Sequence, residues 1–285
     1  MKKFIKNNKL FLGTLGVFLI FLIIDIVSYK IDYYKQLKFA EELSIRYDTE
    51  VTVSKMNIFY VWWDFTRGGM ISIFSLFFPL LAIIPGIWNF YNIQRSGFIK
   101  NAVLRIPYKK YVKKEIIKSW KAALIFPIGL LITFIVICFL DNFYLNLQNG
   151  IVVSDNTGNK TLMYHTFELI ITFFRFIVLD ITCINIGHIY SKKCPNFIVT
   201  IVTSYFTIIV YSLIAEDVVG PFLRKVTGDL FYANGLGLLS INRWGDSGVT
   251  FPKLAIYNLL LLIVSLILLY ITYRNKESVM IDAEK

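Results

Sequence analysis

Charged residues are scarce in this sequence, and residues typical of catalytic sites are scarcer. Only 17% of the 285 residues are Asp, Glu, Lys or Arg, whereas about 25% is usual in a soluble domain. The three cysteines have no paired spacing, so a disulfide framework is excluded. Neither G-x-x-x-x-G-K-S/T nor G-x-G-x-x-G occurs, so a familiar ATP site in this chain is excluded as well.

Hydrophobic residues make up 56% of the chain, and its mean hydropathy is +0.61. About 20 apolar residues cross the hydrocarbon core of a bilayer as a helix, and a backbone in lipid must satisfy its own hydrogen bonds. The sequence therefore predicts an all-α integral membrane protein with a single six-helix transmembrane domain. The predicted spans cover about residues 10–28, 69–91, 122–140, 167–190, 197–215 and 254–273.

The net charge of +11 does not indicate a nucleic-acid partner, because the charges lie in the gaps between the apolar runs. If the N-terminus is cytoplasmic, the cytoplasmic segments carry 18 Lys and Arg against 4 acidic residues. The outer connections then carry 11 Lys and Arg against 12 acidic residues. Cytoplasmic segments are enriched in Lys and Arg, so both termini are predicted to be cytoplasmic.

Three short interfacial helices are also predicted. One is at the N-terminus, where Phe4 and Ile5 stand among four lysines. Another comes before the sixth span, where apolar pieces of residues 216–253 are too short to cross a bilayer. The third lies in the connection after the second span, over about residues 96–105, where Phe98 and Ala102 share a face and Pro107 ends the helix.

Besides Glu168 in the first turn of the fourth predicted span, three charges fall inside predicted spans: Asp25, Arg175 and Asp180. A charge in the hydrocarbon core is costly, so such residues face protein or water and are candidate functional residues. Asp25 and Arg175 both lie in the outer halves of their predicted spans, about 4.5 and 12 Å from the outer boundary at 1.5 Å per residue, and we expect them to pair. Arg175 and Asp180 are separated by about 140° around one helix and do not pair directly.

Two patterns raise an enzymatic alternative. Glu41-Glu42-x-x-x-Arg46 resembles the E-E-x-x-x-R motif of CAAX-type intramembrane metal-dependent proteases. The motif lies outside the predicted spans, and neither histidine has the family's aromatic residue four positions earlier. Gly245-Asp-Ser247-Gly248 matches the chymotrypsin-like nucleophile motif, but the sequence predicts no β-barrel to hold a triad. A non-catalytic membrane accessory or immunity protein is a further alternative.

The connection between the second and third spans, residues 94–118, carries the clearest pattern. Nine Lys and Arg stand between Arg95 and Lys121 with a single acid, Glu115. The order is Gln94, then Gly97, then Pro107, followed by Lys109 and Lys110, and then Tyr111 and Lys114.

This order and the six-span layout resemble the membrane subunit of type-2, export-class ABC transporters. In that family the first position is usually an acid, so Gln94 is a departure from the pattern.

The resemblance implies that this connection is the coupling segment that docks on a separate ATPase subunit, which would hold ATP and Mg. The chain would hold no cofactor or metal of its own. It would work with a second permease, the same or a related chain, in a bacterial plasma membrane. Its substrate would be peptide, lipid-like or drug-like, with antimicrobial peptide export or immunity as the expected role. The implied coupling residues are Gly97, Phe98, Ala102, Arg105, Pro107, Lys110, Tyr111 and Lys114.

Overall fold

A computed structural model describes residues 9–47, 69–96, 105–139, 151–152, 160–237 and 251–274. Nearly all of these residues are helical, and the exceptions include a pair of two-residue strands and short turns. The elements in chain order are α1 (Lys9–Tyr47), α2 (Gly69–Arg95), α3 (Tyr108–Ser119), a 3-10 turn (Trp120–Leu124), α4 (Ile125–Cys138), β1 (Ile151–Val152), β2 (Lys160–Thr161), α5 (Leu162–Lys193), α6 (Phe197–Leu213), a π turn (Ile214–Val219), α7 (Gly220–Thr227), α8 (Phe231–Asn234) and α9 (Phe251–Tyr273).

Six helical stretches within the described residues are long and apolar enough to cross a membrane, which confirms the predicted number and identifies a multi-pass membrane protein. Each overlaps one predicted span. The cytoplasmic location of the termini and the interfacial location of short helices stay predictions. The six stretches are Lys9–Tyr47, Leu76–Arg95, Tyr108–Val136, Leu169–Lys193, Phe197–Thr227 and Pro252–Tyr273.

The first helix is longer than the sequence predicted. It contains 39 residues, which at 1.5 Å per residue is about 58 Å, roughly twice the thickness of a bilayer core. The predicted span ended at residue 28, but helix α1 continues through the charged sequence from Lys30 to Arg46. Lys35 and Asp32 form an exposed i,i+3 ion pair at 3.1 Å on this extension. No Gly or Pro interrupts the extension, so nothing in the local sequence ends the helix earlier.

The helix that leads into the third span begins before the predicted start of that span. Pro107 precedes the first turn of α3, and proline suits this position because the first turn needs no amide donor there. Most of the predicted short helix over residues 96–105 lies outside the described residues. Helix α3, which we call the basic helix, runs from Tyr108 to Ser119 and leads through the 3-10 turn into α4. The predicted start at residue 122 followed the apolar run, whereas the helix itself includes the lysine-rich sequence before it.

Short helices precede the sixth span, as the broken apolar pieces predicted. A π turn leads from α6 into α7, and α7 ends at Gly228, whose φ of 72° is a left-handed conformation that favours glycine. Asp229 accepts a hydrogen bond from Lys253 at the start of α9. This hydrogen bond, together with the backbone amide of Phe231, lowers the pKa of the Asp229 carboxyl.

The chain forms two compact units. The first comprises Met1–Leu15, Ser75–Ile128 and Ile171–Lys285. Within this unit α2 and α5 approach closely at two glycines. A Cβ at Gly86 would lie 2.7 Å from Ile184, and one at Gly187 would lie 2.8 Å from Ile87. Small residues commonly permit such approaches between membrane helices, so these glycines set the spacing of α2 and α5.

The second unit comprises Gly16–Phe74 and Gly129–Ile170. Within it the ring of Phe18 occupies the space beside Gly129, where an added Cβ would fall 1.7 Å from a ring carbon. Strands β1 and β2 pair antiparallel, with Ile151 opposite Thr161. The unit therefore joins α1 to α4 by direct packing at a glycine.

Candidate functional site

The basic helix is amphipathic, and its apolar side is packed inside the first unit. Tyr111, Val112 and Ile116 are buried in one hydrophobic cluster with Phe90 of α2 and Tyr273 of α9. The opposite side of the basic helix carries exposed lysines at positions 109, 110, 113, 114 and 118. The helix therefore presents a cationic surface while its hydrophobic contacts fix it to two spans.

A buried polar cluster lies beside this hydrophobic cluster. We define the polar cluster as Gln94, Ser119, His188, Ser191 and Tyr273, each at most 9% exposed. The Tyr273 hydroxyl donates to the backbone oxygen of His188 at 2.8 Å and accepts from Gln94 Nε2 at 3.2 Å. The Ser191 hydroxyl lies 3.2 Å from both Gln94 Oε1 and the Tyr273 oxygen. The cluster thus links α2, α5 and α9.

Gln94 suits this position because a primary amide both donates and accepts. Its Nε2 donates to Tyr273, and its Oε1 accepts from Ser191. A carboxylate offers acceptors only, so an acid at this position would leave one of these hydrogen bonds unmade. The departure from the ABC permease pattern therefore has a local physical reason in this fold.

The end of the basic helix joins the polar cluster directly. Ser119 Oγ lies 2.6 Å from His188 Nε2 and donates to the backbone oxygen of Ile116 at 2.6 Å. Because serine has a single hydroxyl proton, the Ser119 oxygen is then the acceptor of the Nε2–H of His188. One residue later, the Trp120 indole donates to Asn185 Oδ1 at 2.9 Å. Two adjacent residues therefore connect the basic helix to α5.

Asn185 extends these connections to α9. Its amide Nδ2 donates to Ser265 Oγ at 3.0 Å, and both residues are buried. Further along, Lys192 Nζ donates to the backbone oxygen of Thr272 at 2.7 Å. Helices α5 and α9 are therefore joined by side-chain hydrogen bonds over roughly their last two turns.

The end of α2 is joined to the turn between α5 and α6. The Tyr91 hydroxyl donates to the backbone oxygen of Pro195 at 2.6 Å. The Arg95 guanidinium donates to the backbone oxygen of Cys194 and lies 5.5 Å from the centre of the Tyr91 ring. These contacts fix the position of the chain as it enters the predicted coupling segment.

The arrangement is suited to transmitting displacement. A buried hydrogen bond contributes about 1 kcal/mol net, and a buried group left without its partner costs about 1–3 kcal/mol. Movement of the basic helix relative to α5 would break the Ser119–His188 hydrogen bond, and movement relative to α2 or α9 would separate its buried hydrophobic contacts. A displacement of the basic helix would therefore strain its contacts with all three helices.

The predicted coupling residues have different locations. Gly97, Phe98 and Ala102 lie outside the described residues. Arg105 is exposed in a turn, and Pro107, also exposed, precedes the basic helix. Lys110 and Lys114 are exposed on the basic helix. Tyr111 is only 6% exposed and packs within the first unit, so its ring is not on the surface that a partner would meet.

The predicted intramembrane charges are all buried. Asp25 and Arg175 are 6% and 2% exposed, and their pairing stays a prediction. Asp180 is fully buried in α5, and neither of its carboxylate oxygens has a hydrogen-bond partner among the described residues. Buried polar groups are nearly always hydrogen-bonded, so Asp180 is an exception that invites a functional explanation.

The residues of the enzymatic alternatives do not form a site within the described residues. Glu41, Glu42 and Arg46 are exposed on the extension of α1. The described part of the chain contains no group of three or more His, Cys, Asp or Glu side chains arranged to hold a metal ion. The Gly245–Gly248 sequence lies outside the described residues.

The polar cluster was not predicted from the sequence, although α5 carries a signal for it. Asn185, His188 and Ser191 recur every three residues at the end of an apolar run, which places them along one side of a helix. Polar residues on one side of a membrane helix indicate contact with other helices or with water. The partners from α2 and α9 have no comparable pattern.

The chain matches no protein-family model, no curated protein and no solved structure. The likeness to ABC permeases therefore rests on the six-span layout and on the pattern of residues 94–114.

Proposed function

We propose that this chain is the permease subunit of an export-class ABC transporter, coupled to a separate ATPase subunit through residues 94–118. The observation that carries the proposal is the attachment of the basic helix. Its lysines are exposed, while its apolar side packs against α2 and α9 and Ser119 and Trp120 are hydrogen-bonded to α5. A soluble partner that pushes on this surface would move three spans together.

Charge favours an acidic protein partner for part of this surface. Lys110 and Lys114 lie one helical turn apart and therefore on one side of the basic helix. Exposed cations of this kind favour an acidic surface on the partner and speed the encounter with it. The chain lacks a nucleotide motif of its own, so the partner would supply ATP hydrolysis with its own Mg ion.

The path for the substrate would form between two permease chains in the bacterial plasma membrane. The apolar surface of α1 supports this, because Ile20, Ile23 and Val27 are each more than 50% exposed in the single chain. Such a surface contacts lipid or a second permease. A peptide, lipid-like or drug-like substrate remains the expectation, with export of or immunity to an antimicrobial peptide as the expected role.

Co-purification from native membranes tests the proposal. The tagged full chain is solubilised in mild detergent, and the eluate is assayed for Mg-dependent ATP hydrolysis and for a stoichiometric ATPase subunit by mass spectrometry. Reversing two charges with Lys110→Glu and Lys114→Glu is expected to reduce ATPase retention at least tenfold. The matched control reverses Lys35 and Lys38, two exposed lysines on α1, and is expected to retain the ATPase.

A monodisperse wild-type chain that retains no ATPase contradicts the proposal, as does equal loss in both double variants. The substitution Phe98→Asp provides a second test at the implied coupling helix. Metal-dependent proteolysis by the purified chain, abolished by Glu41→Gln, would instead establish the hydrolase alternative. A stable chain with neither partner nor activity would leave the accessory or immunity role.

A further inference from the structure

A groove of about 410 Å³ lies between the basic helix and α9. Its volume falls within the range of about 300–1,000 Å³ that is typical of small-molecule sites. The groove lies wholly within the first unit. We propose that it is a binding site for one anionic phospholipid, with an acyl chain between the two helices and the phosphate among three basic residues.

The basic residues along the groove are Lys109, Lys113 and Arg274, all of them exposed. Lys109 and Lys113 are four residues apart, so they project from the same side of the basic helix. Arg274 follows the last residue of α9. Among the described residues, no acidic side chain lines the groove. This charge is complementary to a phosphodiester, and basic pockets between membrane helices are known to bind such head groups.

The remaining walls of the groove suit an acyl chain. Val112, Ile116 and Leu269 contribute hydrocarbon surface. Trp120 and Tyr270 also line it, and these two residue types concentrate where hydrocarbon meets the head groups of a bilayer. A groove with hydrocarbon walls and a cationic margin matches an amphiphile with an anionic head better than it matches a folded acidic protein.

The lysines of the basic helix therefore divide into two pairs. Lys109 and Lys113 line the groove, whereas Lys110 and Lys114 do not. The lipid site uses the first pair, and the proposed ATPase contact uses the second. Lipid binding is measured on the isolated chain, so it does not depend on the proposed transport function, and either proposal can fail alone.

Quenching of tryptophan fluorescence tests the lipid site, because Trp120 lines the groove. The purified full chain in neutral detergent is titrated with phosphatidylglycerol brominated on its acyl chains, and separately with brominated phosphatidylcholine. We expect saturable quenching by the anionic lipid at a mole fraction at least tenfold lower than for the neutral lipid. The Trp120→Phe variant is expected to lose this saturable component.

Removing charge from the groove should weaken lipid binding selectively. Each basic residue near an anionic lipid contributes about fivefold in affinity, so Lys109→Gln with Lys113→Gln is expected to weaken binding by about 25-fold. Lys110→Gln with Lys114→Gln removes the same charge outside the groove and is expected to change binding less than threefold. Arg274→Gln is an independent third variant, expected to weaken binding about fivefold.

Three results would overturn the lipid site. Equal weakening by the two double variants would show bulk attraction to the basic helix rather than a groove. Equal quenching by the neutral lipid would show ordinary solvation by lipid. Full competition by soluble glycerol 3-phosphate would show a site for a free phosphate with no role for the acyl chain.

Discussion

Removal of one oxygen atom from Tyr273 tests whether the polar cluster holds the spans together. In Tyr273→Phe the ring can keep its packing against Phe90, whose centre lies 5.6 Å away. The lost hydroxyl removes one of the two 2.8 Å side-chain hydrogen bonds to the His188 backbone oxygen, the other being donated by Ser191, and leaves Gln94 Nε2 without its 3.2 Å acceptor. The substitution therefore isolates hydrogen bonding from the burial of apolar surface.

The expected magnitude follows from the number of groups left without partners. Each lost hydrogen bond costs about 1 kcal/mol, or about 0.6 kcal/mol on the average measured between membrane helices. A buried amide left without an acceptor adds about 1 kcal/mol or more. We therefore expect Tyr273→Phe to lower the free energy of unfolding by about 2 kcal/mol, which is about a 30-fold change in the unfolding equilibrium constant.

Reversible unfolding by sodium dodecyl sulfate in mixed micelles measures this difference. Tyr270→Phe is the matched control, because Tyr270 is on the same helix but 62% exposed. Its expected effect is below about 0.5 kcal/mol, as is usual for surface substitutions. Equal stability of the Tyr273 and Tyr270 variants would refute the reasoning, because the cluster would then contribute no net stability.

Further substitutions test the packing and the intramembrane charges. Gly187→Ala should lower stability by about 1–3 kcal/mol, because its Cβ would lie 2.8 Å from an isoleucine methyl group. Gly13→Ala is the control: no atom lies within 4 Å of the added Cβ, so the substitution should raise stability by about 0.5–1 kcal/mol. Equal effects of the Gly187 and Gly13 substitutions on stability would contradict the close packing of α2 and α5. Asp180→Leu should leave stability unchanged or raise it by about 1–3 kcal/mol, because it removes buried carboxylate oxygens that have no hydrogen-bond partners among the described residues. A clear loss of thermal stability in detergent would show that the Asp180 carboxylate is stabilising. Exchanging Asp25 and Arg175 should restore the stability that either single change loses, and a double variant no better than the singles would exclude their pairing.

The number and approximate positions of the spans could be predicted, because an uninterrupted apolar run of about 20 residues has few alternatives to a membrane helix. The helix boundaries could not be predicted in the same way. Hydropathy marks where the chain enters lipid, whereas a helix continues until a residue stops it. Helix α1 therefore extends through charged sequence to Tyr47, and the helix that leads into the third span starts after Pro107.

The basic surface of the candidate site could be predicted from the sequence, but its attachment to the spans could not. The resemblance to the permease pattern implied Lys110 and Lys114 as coupling residues, and both are exposed on the basic helix. The attachment depends on Gln94, His188 and Tyr273, which are 85 or more residues apart in sequence. The sequence around a single polar residue at the end of an apolar run does not indicate which distant residue it will contact. The polar cluster is therefore visible only in the folded structure.

Site-specific photo-crosslinking tests the central claim most directly. A benzoylphenylalanine at position 110 of the full chain, activated in native membranes, is expected to form a covalent adduct with an ATPase subunit. The same probe at position 38, an exposed residue on α1, is expected to form none. Adducts at position 110 with lipid alone, or equal adducts at both positions, would contradict an ATPase docked on the basic helix.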